Sequence, residues 1–143
     1  MKWLDIPPIW LLVCLVAAWF SPWVLPFQPL FWLGLFSLIL AGVLTLAALI
    51  EFRRRRTTPI PHMPPSALIT GGVFRISRNP IYLADMLILF GFALIWGKLL
   101  GIVLLPVLFV ILDRRFIRVE EAQLRTAFPE GFEAYKHQTR RWV

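Results

Sequence analysis

At 143 residues, 59% hydrophobic and with a mean hydropathy of +0.73, the chain is too apolar for an ordinary water-soluble domain. Its net charge of +7 reflects 15 Lys and Arg against 8 Asp and Glu, with the arginines set at the ends of apolar stretches, a placement that favours a bilayer over nucleic acid as the partner. Two His and a lone Cys14 inside an apolar stretch argue against a metal centre and a disulfide framework.

The first apolar stretch runs from Ile6 to Leu25. Pro22 and Pro26 predict that its helix stops or kinks near Ser21. No small-residue cleavage site follows and another apolar stretch begins at once, so it reads as an anchor rather than a cleavable leader. The second, Leu30 to Ile50, spans roughly 30 Å at 1.5 Å per residue, the thickness of a hydrocarbon core. Arg53 to Arg56 close it. A proline-dense loop, Thr57 to Pro65, must be extended. It leads into Ser66-Ala67-Leu68-Ile69-Thr70-Gly71-Gly72-Val73-Phe74, where paired glycines permit a tight turn or close approach to a ligand.

Arg78-Asn79-Pro80-Ile81-Tyr82 comes next, with Pro80 suited to a helix's first turn. The third stretch, Ile81 to Trp96, and the fourth, Leu99 to Leu112, are short spans, and the Gly97-Lys98 turn joins them as a helical hairpin. Asp85 sits about one turn inside the third, where a carboxylate is costly; a structural partner in the loop and a functional role are both open. The fourth helix is expected to run on through Asp113 to Phe128, with Pro129 breaking it before a final short helix. Leu124, Phe128, Phe132 and Tyr135 then share one side, to pack on the membrane interface or over the loop.

These elements predict an all-α integral membrane protein: about four transmembrane helices with a C-terminal hairpin and an amphipathic cytosolic tail. It reads as a single membrane domain over residues 1–143, with two spans in 1–50, a cytosolic loop at 51–80, the hairpin at 81–112 and the tail at 113–143. Arg53 to Arg56, Arg75, Arg78, Arg114, Arg115 and Arg118 fall at one set of span ends, and Lys98 is the one basic residue at the other. Both termini and the 51–80 loop are therefore expected in the cytosol, with the inner membrane as the location in a bacterium. The basic segments would attract anionic membrane lipids.

The hairpin brings Arg78–Tyr82 and the pair Glu120-Glu121 to the same membrane surface. The pair could bind Arg118, Arg125 or water on a solvated face, or serve a ligand. Neighbouring helical positions point about 100° apart, so at most one of the two faces a given pocket squarely.

Taken in order, Leu68-Ile69-Thr70-Gly71-Gly72-Val73-Phe74, Ser77-Arg78-Asn79-Pro80-Ile81-Tyr82-Leu83, and Glu120-Glu121-x-x-Leu124 with Phe128, Phe132, Tyr135 and Arg140-Arg141-Trp142 resemble the isoprenylcysteine carboxyl methyltransferase and phospholipid methyltransferase family. The likeness covers about the C-terminal 85 residues. It implies S-adenosylmethionine as methyl donor and a lipophilic or lipid-linked acceptor. By that carry-over Ser66, Ala67, Leu68, Ile69 and Phe74 line the cofactor pocket, Asn79, Pro80, Ile81 and Tyr82 form its other wall, and Glu120, with Glu121 beside it, binds the cofactor's polar end. The eukaryotic carboxyl methyltransferases have His at the Asn79 position, and Asn cannot titrate near neutrality. They also place a substrate-contacting Arg where this chain has Phe116; Arg115 and Arg118, close by, are the candidates for substrate contact. A nicotinamide-dependent membrane reductase of similar fold is the alternative enzyme, and a membrane adaptor without enzymatic function the third reading.

Overall fold

The computed structural model describes residues 6–25, 30–57 and 65–143. Most of the proline-dense loop, together with Pro26 and His62, lies outside them. Among the described residues the architecture is all helical.

Helix α1, Pro7–Phe20, opens on two prolines, whose missing N–H groups cost nothing in a first turn. It ends at Ser21, held extended at ψ 134° because the following Pro22 disfavours the helical conformation. Helix α2, Phe31–Arg54, is 24 residues and about 36 Å long. It is the one helix among the described residues long and apolar enough to cross a membrane. Helix α3, Pro80–Trp96, starts on Pro80 and ends at Gly97, whose φ of 64° is the left-handed conformation that glycine adopts without strain. Helix α4, Leu99–Ile111, follows directly. At 14, 17 and 13 residues, α1, α3 and α4 are each shorter than the expected four-span pattern needs by helix length alone.

Helix α3 is the centre of the bundle, packing on α2, α1 and α4, while α1 also packs on α4. Its contact with α2 is close because two glycines meet: a Cβ on Gly34 would lie 2.6 Å from the Gly91 carbonyl oxygen, and one on Gly91 would lie 2.8 Å from that of Gly34. The Ser37 hydroxyl donates across the same seam to the Leu87 carbonyl at 2.8 Å. At the hairpin end, the segment after α1 is tied down by Leu25 N–H to Gly97 O and by the Lys98 ammonium, which donates to Ser21 O at 2.8 Å.

The run from Asp113 to Phe128 is helical as expected, but not uniformly so. Residues Leu112–Ile117 form a π-helical turn in which the Arg118 N–H reaches back to Asp113 O, and α5 covers Arg118–Ala127. Phe128 leaves helical geometry and α6, Pro129–Gln138, begins on Pro129. The predicted seam closes over the loop rather than the membrane interface. Phe132 and Tyr135 are buried against Ile69, Phe74 and Ala48, with Leu124 packed at the edge. The Tyr135 hydroxyl donates to Phe74 O at 2.6 Å.

Candidate functional site

The site forms where the C-terminal end of α2, the N-terminal ends of α1 and α3, and the first turn of α5 converge. A cavity of about 380 Å³ there is walled by Ile6, Pro7 and Pro8, by Thr45, Leu49 and Phe52, and by Phe74 and the 78–82 turn. Asp85 and Glu120 complete it. Most of this wall is apolar, with a few polar groups among which are Tyr82, Asp85 and Glu120, the pattern of small-molecule sites generally.

Glu120 and Glu121 are adjacent and do different things, as the 100° between them requires. Glu120 turns into the cavity, where the Tyr82 hydroxyl donates to its Oε1 at 2.5 Å. Burial pushes the Glu120 carboxyl up to about 7; the Tyr82 hydrogen bond pulls the other way and the Glu121 charge adds to the rise. Glu121 turns away into a cluster of arginines. Its Oε1 accepts from Arg78 at 2.8 Å and its Oε2 from Arg141 at 2.5 Å. Burial raises the Glu121 carboxyl, but the two guanidinium partners outweigh that and hold it below the ordinary carboxylate range. Arg141 also reaches Asp113 Oδ1 at 3.1 Å, and Asp113 Oδ2 accepts from Arg118 at 2.9 Å.

The C-terminal tail fixes the 77–79 turn through its carbonyls. Arg78 donates to Thr139 O at 2.9 Å and through its N–H to Arg140 O at 3.0 Å. Asn79 Nδ2 donates to Arg141 O at 3.0 Å, and the Ser77 hydroxyl to the same oxygen at 3.2 Å. The Asn79 amide is thus committed to holding the tail, a task that its His counterpart could share through a ring N–H.

Of the residues expected around a cofactor, Phe74, Asn79, Pro80, Ile81, Tyr82 and Glu120 border this cavity. Ser66, Ala67, Leu68 and Ile69 do not: Ser66 is exposed, Ile69 is buried under α6, and Leu68 packs at that cluster's edge. Glu121 stands behind the cavity in the arginine cluster. Arg115 lies over the Trp10 ring at 5.1 Å, and Arg118 is 60% exposed on its pair with Asp113. Neither borders the cavity. Phe116 is fully buried behind Tyr82, ring centroids 6.4 Å apart. Two contributions were missed in the sequence. The α1 and α2 residues of the wall are ordinary apolar side chains with nothing to mark them, and Arg141, though part of the Arg140-Arg141-Trp142 motif, carries no sequence signal that it pairs with Glu121.

The site is thus a mostly apolar cavity at one end of a helical bundle, with Asp85 and Glu120 on its wall and the tail bonded to the Arg-Asn-Pro turn beside it. The family comparison makes this narrower. Residues 29–131 match the phospholipid methyltransferase family, and the chain belongs to that family. Comparison with curated proteins and with solved structures gave no match. The matched residues hold α2, the 78–82 turn and both glutamates, whereas α1 and the Arg141 tail lie beyond them.

Proposed function

We propose that the chain is a membrane methyltransferase that uses S-adenosylmethionine and modifies a lipophilic acceptor at the boundary between membrane and cytosol. The observation that carries this reading is Glu120: a carboxyl turned into an apolar cavity and hydrogen-bonded there to the neutral Tyr82 hydroxyl. A buried carboxylate of that kind is stabilised by a cationic ligand. The donor set and the cavity therefore suit a small amphiphile with a cationic end, and Tyr82, Asn79, Pro80 and Ile81 would hold it with Glu120.

S-adenosylmethionine, when bound, brings a sulfonium-activated methyl group. The protein's share is then to orient, to exclude water and to place charge. Glu120 fixes the cationic end, Tyr82 holds the carboxyl's orientation, and the apolar wall of Leu49, Phe52 and Phe74 keeps water out. Arg78 is engaged by Glu121, Lys136 O and Thr139 O, which disfavours the nicotinamide reading, since a 2′-phosphate needs free cations.

The whole chain then forms one membrane domain. Helices α1 to α4 cross the bilayer, α1 lengthened by the extended residues 21–25 that bond to the hairpin turn and α4 by its helical continuation, and both termini face the cytosol with the site. The exposed apolar faces of α1 and α2, among them Trp19, Phe20, Trp32, Phe36 and Leu46, contact lipid. Calorimetric titration of protein in nanodiscs with S-adenosylhomocysteine, the demethylated product, and separately with NADPH tests the reading. Saturable binding of the first alone is expected. Preference for NADPH would make the protein a reductase, and binding of neither to folded protein would leave a scaffold.

A further inference from the structure

Asp85 is a second carboxyl on the cavity wall, one helical turn beyond Tyr82 on the same side of α3. It is 7% exposed, and its Oδ2 is fully buried with no hydrogen-bond partner among the described residues. The other carboxyls near the site are engaged: Glu120 by Tyr82, Glu121 by Arg78 and Arg141, Asp113 by Arg118 and Arg141. An idle acceptor oxygen buried beside a cavity within an apolar helix is costly to keep. Such a group is explained by what it binds.

We infer that Asp85 recognises the methyl acceptor: its carboxyl accepts a hydrogen bond from a hydroxyl or amine headgroup whose aliphatic chain lies against the cavity's apolar wall. The inference rests on the methyltransferase reading of the same cavity and adds the acceptor's chemistry. The geometry divides the labour, with Glu120 at the α5 side and Asp85 one turn deeper along α3. The apolar face made by Ile6, Pro7, Thr45 and Leu49 is where a chain fits. An acceptor ending in a carboxylate is rejected, because it would meet two acidic side chains in a low-dielectric space, where the Glu120 carboxyl is bonded to a neutral hydroxyl and Asp85 Oδ2 to nothing among the described residues. Hydroxyl and amine share the donor chemistry that the Asp85 carboxyl can use once it turns its idle oxygen toward the cavity.

The test compares dodecylamine, 1-dodecanol and dodecanoate, below their aggregation concentrations, binding to nanodisc-embedded wild-type, Asp85→Asn and Asp85→Ser proteins. S-adenosylhomocysteine is titrated in parallel. Wild-type is expected to bind the amine or the alcohol at least about tenfold more tightly than dodecanoate, the size of one hydrogen bond to a charged group. Both variants should narrow that gap to about threefold or less, with a smaller change in their affinity for S-adenosylhomocysteine than in their discrimination among the amphiphiles. A gain for the amine alone identifies a cationic headgroup, and equal gains identify the shared hydrogen bond. An equal gap in wild-type and variants, or none in wild-type, overturns the inference. Failure of wild-type to bind S-adenosylhomocysteine sinks the methyltransferase reading, while the amphiphile series still decides on Asp85. Thermal midpoints add a further readout: a group kept for binding leaves Asp85→Asn as stable as wild-type or more so. A lowered midpoint with unchanged discrimination would make Asp85 structural.

Discussion

Two neighbouring glutamates separate binding from stability. Glu120→Gln removes the charge but keeps the shape, and is expected to weaken S-adenosylhomocysteine binding about tenfold, the worth of one charged hydrogen bond. The folded chain holds the Glu120 proton up to about 7, against the ordinary 4.5, chiefly because burial disfavours the anion. Folding therefore favours the protonated form: this group's contribution to stability is complete below 4.5 and is lost as pH rises through about 7. Wild-type melting temperature should fall across that window more than that of Glu120→Gln, a difference that scans at pH 5 and 8 would register. Affinity for a cationic ligand should run the opposite way, rising toward pH 8. Glu121→Ala should behave otherwise. It strands Arg78, 8% exposed, and Arg141, 34% exposed, without their shared carboxylate. A loss of roughly 3 kcal/mol is expected, read as a lowered thermal or denaturant midpoint at every pH from 6 to 8. If the two variants lose stability alike, their division of labour is wrong.

At the scale of the elements, the α2–α3 seam depends on two glycines that let backbone meet backbone. Gly91→Val would drive its side chain toward the Gly34 carbonyl and the Leu38 side chain, both 2.8 Å from the new Cβ. Neither helix can yield without parting the cavity walls that Thr45, Leu49 and Tyr82 supply from each side, so a loss of about 2 kcal/mol and weaker ligand binding should appear together in melting and titration. Several helix ends were legible in the sequence for local reasons: Pro80 and Pro129 start helices, Pro22 stops one, and Gly97 turns the hairpin, whereas the start of α1 at Pro7 was not read. The seam of Phe132 and Tyr135 was legible as a spacing, with the loop as one of two surfaces it could cover; the choice between them was not, because Ile69 and Phe74 are distant in the chain. Half of the glutamate pair's behaviour could be foreseen. Helical geometry says the two must diverge, but only the folded tail shows that Arg141 claims Glu121 and leaves Glu120 to the cavity.

For the molecule as a whole, the basic residues and the site fall at the same end, the end that the proposed topology puts in the cytosol. The arginines at the ends of α2 and α4, the 78–82 turn and the tail occupy one end, and Lys98 the other, its ammonium bonded to Ser21 O. Cys14 is the single cysteine and is buried, so introduced cysteines can report sidedness cleanly. With a membrane-impermeant maleimide on sealed vesicles, Arg54→Cys and Lys136→Cys should react from one face and Lys98→Cys from the other. Labelling of all three from one face would mean that α3 and α4 do not cross.

The π-helical turn at 112–117 has a consequence for how such a chain can change by inheritance. A turn of that kind carries one residue more than an α-helix needs, so it takes up an insertion without rotating the downstream helix. Loss of the exposed Arg114 would let the turn relax to regular helix and leave the downstream glutamates facing as they do now. Loss of Val119, beyond the turn, has no such slack and would swing the rest of α5 by about 100°. Loss of a single codon should therefore be tolerated in the first stretch and purged in the second.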